Sequence, residues 1–295
     1  MSIRIGISGW RYPRWRGRFY PAGLVQREAL AYAARCFPSI ELNGSFYSLQ
    51  RPESWQAWHD DTPSRFVFAV KGPRFITHNK RLRDCDTALA NFFASGLLNL
   101  GAKFGPILWQ LPPTLQFDAE VLAAFLSLLP KTTQAAAALA QGRDRTLMRG
   151  RSVLKETVRR RIRHALEVRH ESYQNADFIA LLRRHGVALV VADSARRYPL
   201  MEDVTADFVY VRLHGDAELY ASGYGDTALA RWAKRIDRWH QGGEPRDAAR
   251  HAPPAAARER RDVYCYFDND AKVHAPFDAA ALMRRLGQTP GCERG

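Results

Sequence analysis

The stretch 165–172 reads ALEVRHES. It begins as a short apolar alternation and ends in Glu167, Arg169, His170 and Glu171, so a strand leaves a core and stops in a cluster of ionisable groups. Seven other apolar runs end in the same way, at 3–7, 39–43, 65–70, 105–111, 187–192, 208–214 and 263–267. Between them lie segments of helix-forming residues: 27–36, one from Pro52, 86–101, 118–129, 177–185, 229–240 and 277–286. The run 187–192, VALVVA, is apolar at every position, the pattern of a strand covered on both faces. Eight strands alternating with helices in 295 residues predict the α/β class and a single (β/α)8 TIM-barrel-like domain over 1–295. A basic, partly helical insertion over 131–163 is expected before the fifth strand.

Composition narrows the function classes. The apolar and charged fractions, 46% and 25%, are those of globular proteins. No apolar run approaches the ~18 residues that span a bilayer. The chain starts directly in a strand rather than in a leader pattern, so a cytoplasmic protein without a membrane partner is expected. Cys36, Cys85, Cys265 and Cys292 are scattered without metal-ligand spacing and read as reduced thiols. The net charge is +14, and 141–163 alone holds nine Lys or Arg against two acids, half of the excess. That segment reads either as a solvated insertion or as an arm that neutralises phosphates. Arg11, Arg14, Arg16 and Arg18, interleaved with Trp10, Tyr12, Trp15 and Phe19, form a second basic patch whose rings would stack on bases. Trp232, Ile236 and Trp239 fall at helical spacing and read as core.

Parallel barrel strands deliver their C-terminal tips to one face, where barrel sites are built. The tips here are Ser8 and Trp10, Glu41 and Asn43, Lys71, Gln110, Glu167 with Arg169 and His170, Asp193, Arg212 with His214, and Asp268 with Asn269. Glu41 and Glu167 suit acid and base roles, because two carboxylates in one cavity push their pKa values apart. Lys71 suits an electrophile or a Schiff-base amine, and His170 and His214 suit proton carriers. Arg169 and Arg212 offer bidentate bonds to a carboxylate or phosphate. The same residues could instead satisfy one another, with Arg169 and Arg212 bridging Glu41, Glu167 and Asp268. A divalent metal is disfavoured by three cations in the mouth and by the lack of HxH or HExxH spacing, so no cofactor is expected and no metal ligand is assigned. Nothing in the pattern specifies an oligomeric state.

The blocks SGWRYPRWRGRFYP, SIELNGSFY, FVFAVKGPRFITHNKRL, GPILWQLPP, ALEVRHESY, YVRLHG and YCYFDND occur in this order across almost the whole chain. Together they resemble the signature of the domain of unknown function 72 family, also called YecE-like. The resemblance implies a TIM barrel and brings no established activity. The polar positions it covers are Trp10, Glu41, Asn43, Lys71, Thr77, His78, Gln110, Glu167, Arg169, His170, Arg212, His214 and Asn269. Asp268 stands where the family often has Asn, and Gly44 where a second small polar residue is common. The leading expectation is an enzyme, a hydrolase or lyase, acting on an anionic small molecule or phosphoester by carboxylate acid/base chemistry. In it Glu41, Lys71, Glu167, His170 and His214 are catalytic; Trp10, Asn43, His78, Gln110, Arg169, Arg212 and Asn269 bind substrate. The alternative is a nucleic-acid-binding module using the Trp/Arg loop and the basic insertion.

Overall fold

Each predicted apolar run is a strand in the computed structural model, which describes residues 1–293; residues 294 and 295 lie outside it. The strands are β1 (Ile3–Ser8), β2 (Ser39–Leu42), β3 (Val67–Lys71), β4 (Phe104–Gln110), β5 (His164–Glu167), β6 (Ala188–Asp193), β7 (Phe208–Leu213) and β8 (Asp262–Phe267). They close in sequence order into a barrel in which every neighbouring pair is parallel. Helices α1 (Ala29–Cys36), α2 (Gly44–Tyr47), α3 (Pro52–Asp60), α4 (Asp86–Ala94), α5 (Ala119–Leu128), α6 (Thr133–Ala140), α7 (Ala176–His185), α8 (Asp226–His240) and α9 (Ala275–Arg285) accompany them. Among the described residues no helix is long and apolar enough to cross a membrane.

Side chains alternate between the two faces of a strand, so each strand supplies two cores. Ile5, Ile7, Ile40, Leu42, Phe68 and Val70 point outward and join the helix layer. Val67, Ala69, Leu108, Ala165, Val190, Tyr210, Tyr264 and Tyr266 point inward and plug the barrel. Above this plug the inward positions become Ser8, Glu41, Lys71, Gln110, Glu167 and Arg212, all buried. Parity thus decides which tips reach the mouth.

Local chemistry sets the helix ends. Asp118 caps α5 by accepting from the Val121 amide, Asn175 caps α7 in the same way, and Gly186 ends α7 at φ 65°. Trp232, Ile236 and Trp239 of α8 are buried, as their spacing predicts. The predicted helix 86–101 instead breaks after Ala94, because Gly96 turns left-handed at φ 95° and a 3-10 segment, Leu97–Lys103, follows. The 242–262 segment, read from its composition as a flexible linker, is pinned: Glu202 accepts from the Ala249 amide, and Asp203 from the amides of His251 and Ala252. Buried Arg261 gives its guanidinium to the carbonyls of Gly243 and Ala256. Two acids outside the segment supply acceptors that its own sequence does not advertise. In the basic stretch, α6 buries Ala136, Ala137 and Ala140, and the rest runs without helix past buried Met148 to a bridge between Thr132 and Arg161.

Gly6 shows how tightly the plug is built. A Cβ there would lie 2.0 Å from the Ser39 carbonyl oxygen, where β1 and β2 pair. Gly6→Ala is expected to lower stability by ~1–3 kcal/mol, the range for forcing a methyl group into a packed core. An unchanged urea midpoint would contradict this close approach.

Candidate functional site

Arg212 stands at the centre of the mouth. It comes from β7, where Tyr210, Arg212 and His214 share the inward parity, and its side chain is fully buried. Its guanidinium grips Glu41 in bidentate fashion, Nη2 to Oε1 at 2.7 Å and Nε to Oε2 at 3.0 Å. Nη1 reaches Glu167 at 2.7 Å, and Nη2 reaches Asp268 at 2.7 Å. Glu41 also accepts from the hydroxyls of Ser8 and Tyr210. Arg169 donates to Glu167 at 2.8 Å and to the Tyr220 hydroxyl at 3.1 Å, with its guanidinium 4.6 Å from the Tyr198 ring centre. Burial alone would raise the Glu167 and Asp268 carboxyls. The neighbouring arginines outweigh it at Glu167, and Arg212 with His214 at Asp268, so both stay well below the ordinary carboxylate range. Burial opposes the charge on Arg212 too, but its three carboxylates raise its pKa well above the ordinary value.

Both arginines are therefore engaged by carboxylates, the mutual bridging that the sequence allowed. Lys71 is not. Its residue is 8% exposed, its amine lies 4.3 Å from the centre of the Phe46 ring, and among the described residues that amine forms no hydrogen bond or ion pair. Burial first, and Arg212 second, bring its pKa down to about 8, against the pull of Asp268, Glu41 and Glu167. His78 sits on the same side, in a π-helical turn over Phe75–Asn79, with its ring edge-on to Phe46 at 5.2 Å. Burial, then Arg74, Lys71 and Arg169, lower its pKa to about 4, so this side of the mouth carries a positive potential and a neutral imidazole.

The other expected residues divide by parity. Asn43 donates to Ser8 and leaves its Oδ1 buried without a partner. Gln110 lies inward beside Glu167. His214 Nε2 is 3.4 Å from Arg212 Nη1, and its Nδ1 is 3.2 Å from Asp268 Oδ2. His170 has the opposite parity to Glu167; its Nδ1 meets the Ser172 hydroxyl and accepts the Ser172 amide, which caps a short turn. Among the described residues no hydrogen bond or ion pair joins His170 to the Arg212 cluster. Asn269, fully buried, is turned to α9 and to the loop between β7 and α8, donating to Asp278 and to the Ser222 carbonyl. Asp193 likewise points outward, accepting from Trp232 of α8. Trp10 is packed edge-on against Trp58, and Trp15 among Tyr12, Phe19 and Tyr20, so these rings are walls rather than stacking platforms.

Several participants were missed or passed over as site residues. Tyr210 and Asp268 share the parity of Arg212 and Tyr266, so alternation could have found both. Tyr198 and Tyr220 arrive on loops, with Tyr220 held at φ 63° against the His214 ring, and no periodicity announces them. Asp270, beside Asp268, is pushed up to about 6 by burial and by that neighbour's charge. Among the described residues no three His, Cys, Asp or Glu side chains are placed to hold a metal ion.

Comparison with known proteins agrees with this architecture. A DUF72 protein from Thermotoga maritima superimposes with a TM-score of 0.73 at 22% identity, covering 98% of this chain and 100% of that one. One from Enterococcus faecalis gives 0.67 at 16%, covering 97% and 96%. In sequence, the UPF0759 protein YecE of Escherichia coli is 32% identical over 129 residues, and the UPF0759 protein YunF of Bacillus subtilis is 27% identical over 126. These matches cover 43% and 41% of this chain and 44% of each relative's length. The model of the family described as protein of unknown function DUF72 matches residues 4–294, and the chain belongs to that family.

Proposed function

We propose that the mouth is the active site of an enzyme of the lyase or hydrolase class, with the Lys71 amine as its reacting group. The observation that supports this most is the amine itself: among the described residues it is the cation of the central cluster not bonded to a carboxylate, and it loses its proton near pH 8. The substrate in this reading is a small carbonyl compound carrying a carboxylate or phosphate. Arg74, Arg169 and protonated Lys71, which together shape the potential at His78, favour the anionic group.

The neutral amine adds its lone pair to the carbonyl carbon, and the carbinolamine loses water to give an iminium ion. That iminium accepts the electron pair of the bond that breaks at the neighbouring carbon, whose other fragment departs as an aldehyde once its hydroxyl has lost its proton; the enamine is protonated on carbon, and water then hydrolyses the iminium to the carbonyl product and the free amine. Glu41 and Glu167 are positioning residues here: Arg212, Ser8, Tyr210 and Arg169 occupy their oxygens.

The test is reductive trapping. The full chain is incubated with small 2-oxo acids and phosphorylated aldehydes in cyanoborohydride, and its peptides are weighed. The expected result is a secondary amine on Lys71 with at least one of them. Labelling confined to exposed lysines such as Lys155 and Lys272 would remove the proposal. The nucleic-acid alternative loses its stacking rings, because Trp10 and Trp15 are buried; it retains the exposed Arg11, Arg14, Arg16 and Arg18 of that loop and the exposed arginines of the insertion.

A further inference from the structure

The N-terminal ends of the strands, opposite the mouth, open into a second cavity of about 1220 Å3. Among the described residues five arginines line it, Arg4, Arg35, Arg65, Arg160 and Arg163, against one carboxylate, Asp262. They come from separate elements: Arg4 from β1, Arg35 from the last turn of α1, Arg65 from the approach to β3, and Arg160 and Arg163 from the end of the basic stretch. The single acid is already occupied, since Asp262 accepts from Arg163 at 2.8 Å and from the Ser2 amide at 2.6 Å. Arg163 reaches Asp207 as well. Among the described residues the other four arginines form no ion pair with a carboxylate; Arg160 bonds the carbonyls of Gly101 and Ala102, and Arg35 lies over the Tyr32 ring. Arg4 Nε is buried and has no hydrogen-bond partner.

Guanidinium groups gathered in one concavity repel each other, and a buried N–H without an acceptor carries a desolvation penalty. Both are relieved by an anion with several oxygens, which forked guanidiniums bind in bidentate pairs. At about 1220 Å3 the cavity exceeds the ~300–1,000 Å3 usual for small-molecule sites, and its arginines come from separate elements of the fold. A single phosphate would meet only part of the set.

We propose that this lower cavity binds a small polyanion carrying a chain of phosphates, independently of the chemistry at the mouth. The recognised chemistry is shared by inorganic polyphosphate and nucleoside polyphosphates. The basic stretch thereby contributes two defined ligands, Arg160 and Arg163, rather than a diffuse cationic surface.

The experiment is calorimetric titration of the full chain with inorganic tripolyphosphate at about 50 mM and 200 mM salt, with ATP in a parallel arm. Three proteins are compared: wild type, Arg4→Gln with Arg65→Gln, and Arg145→Gln with Arg149→Gln on the exposed part of the insertion. Tripolyphosphate is expected to bind wild type, with affinity falling as salt rises. The cavity variant should bind at least about tenfold more weakly and the insertion variant within about twofold of wild type. ATP equal to tripolyphosphate assigns recognition to the phosphate chain, and ATP tighter by tenfold or more assigns a nucleoside polyphosphate; either supports the site. If the double variant does not fold, Arg65→Gln alone, whose side chain is exposed, is expected to weaken binding about threefold. Absence of binding at low salt, or equal losses in the cavity and insertion variants, overturns the proposal.

Discussion

Arg212→Gln is expected to destabilise the chain by ~3–5 kcal/mol, a large fraction of the ~5–15 kcal/mol that holds an ordinary domain folded. Glutamine keeps much of the side-chain length but removes the charge shared by Glu41, Glu167 and Asp268, so three buried carboxylates face one another without their common partner. Arg212→Lys should rescue only partly, because one ammonium cannot reproduce the bidentate grip on Glu41 together with bonds to two more acids. The pH dependence gives a second signature. In wild type, Glu167 and Asp268 titrate well below their unfolded values of about 4, so their contribution is present above pH ~4 and is lost as the pH falls through the lower, folded values. Without Arg212, Glu167 keeps only Arg169 and Asp268 only His214 against the cost of burial, so both carboxyls titrate higher than in wild type and the variant's stability deficit narrows as the pH is lowered toward 4. Urea midpoints at pH 7 and pH 4.5 check both points, and a variant as stable as wild type at pH 7 would refute the network.

Lys71→Met should abolish all trapping at the mouth and, at the same time, make the protein more stable. The folded amine titrates at about 8, against about 10.4 in an unfolded chain, so folding pushes the proton off. The unfolded state therefore binds more protons between those values, and wild-type stability rises with pH across that window while the full penalty applies below pH 8. Methionine has a similar shape and no charge to desolvate, so a gain of ~1–3 kcal/mol at pH 7 is expected, shrinking as the pH approaches 10. A buried residue that weakens its fold while lying among polar strand tips behaves as a functional group does, and differs in this from the Arg212 cluster. A loss of stability in Lys71→Met would place Lys71 among the structural ion pairs instead.

The barrel was legible in the sequence because its evidence is redundant: eight runs rich in β-branched and aromatic residues, spaced by helices, point to one topology, and parallel pairing admits few others. The site was legible in part. Glu41, Lys71, Gln110, Glu167, Arg169, Arg212 and His214 all lie at positions whose parity is inward, and the structure brings them to one end. His170, Asp193 and Asn269 sit one residue out of phase. Adjacent tip residues look equivalent in a string of letters, yet a one-residue step turns a side chain to the opposite face of the sheet. Applying that rule strictly would have removed all three and promoted Tyr210 and Asp268. No rule of this kind finds Tyr198 or Tyr220, whose loops are placed by tertiary contacts. Which cation is free and which is engaged was also beyond the sequence, since that depends on distances across the barrel.

The account rests on an unpaired, readily deprotonated amine among cations that are already matched. The most direct measurement is the titration of Lys71 itself, by NMR of specifically labelled lysine or by competitive labelling at a series of pH values with peptide mass analysis. A midpoint near 8, at least about two units below the exposed lysines, is the expected result. A midpoint at or above about 10.4 would mean that a carboxylate holds the Lys71 proton after all, and would contradict the proposed site.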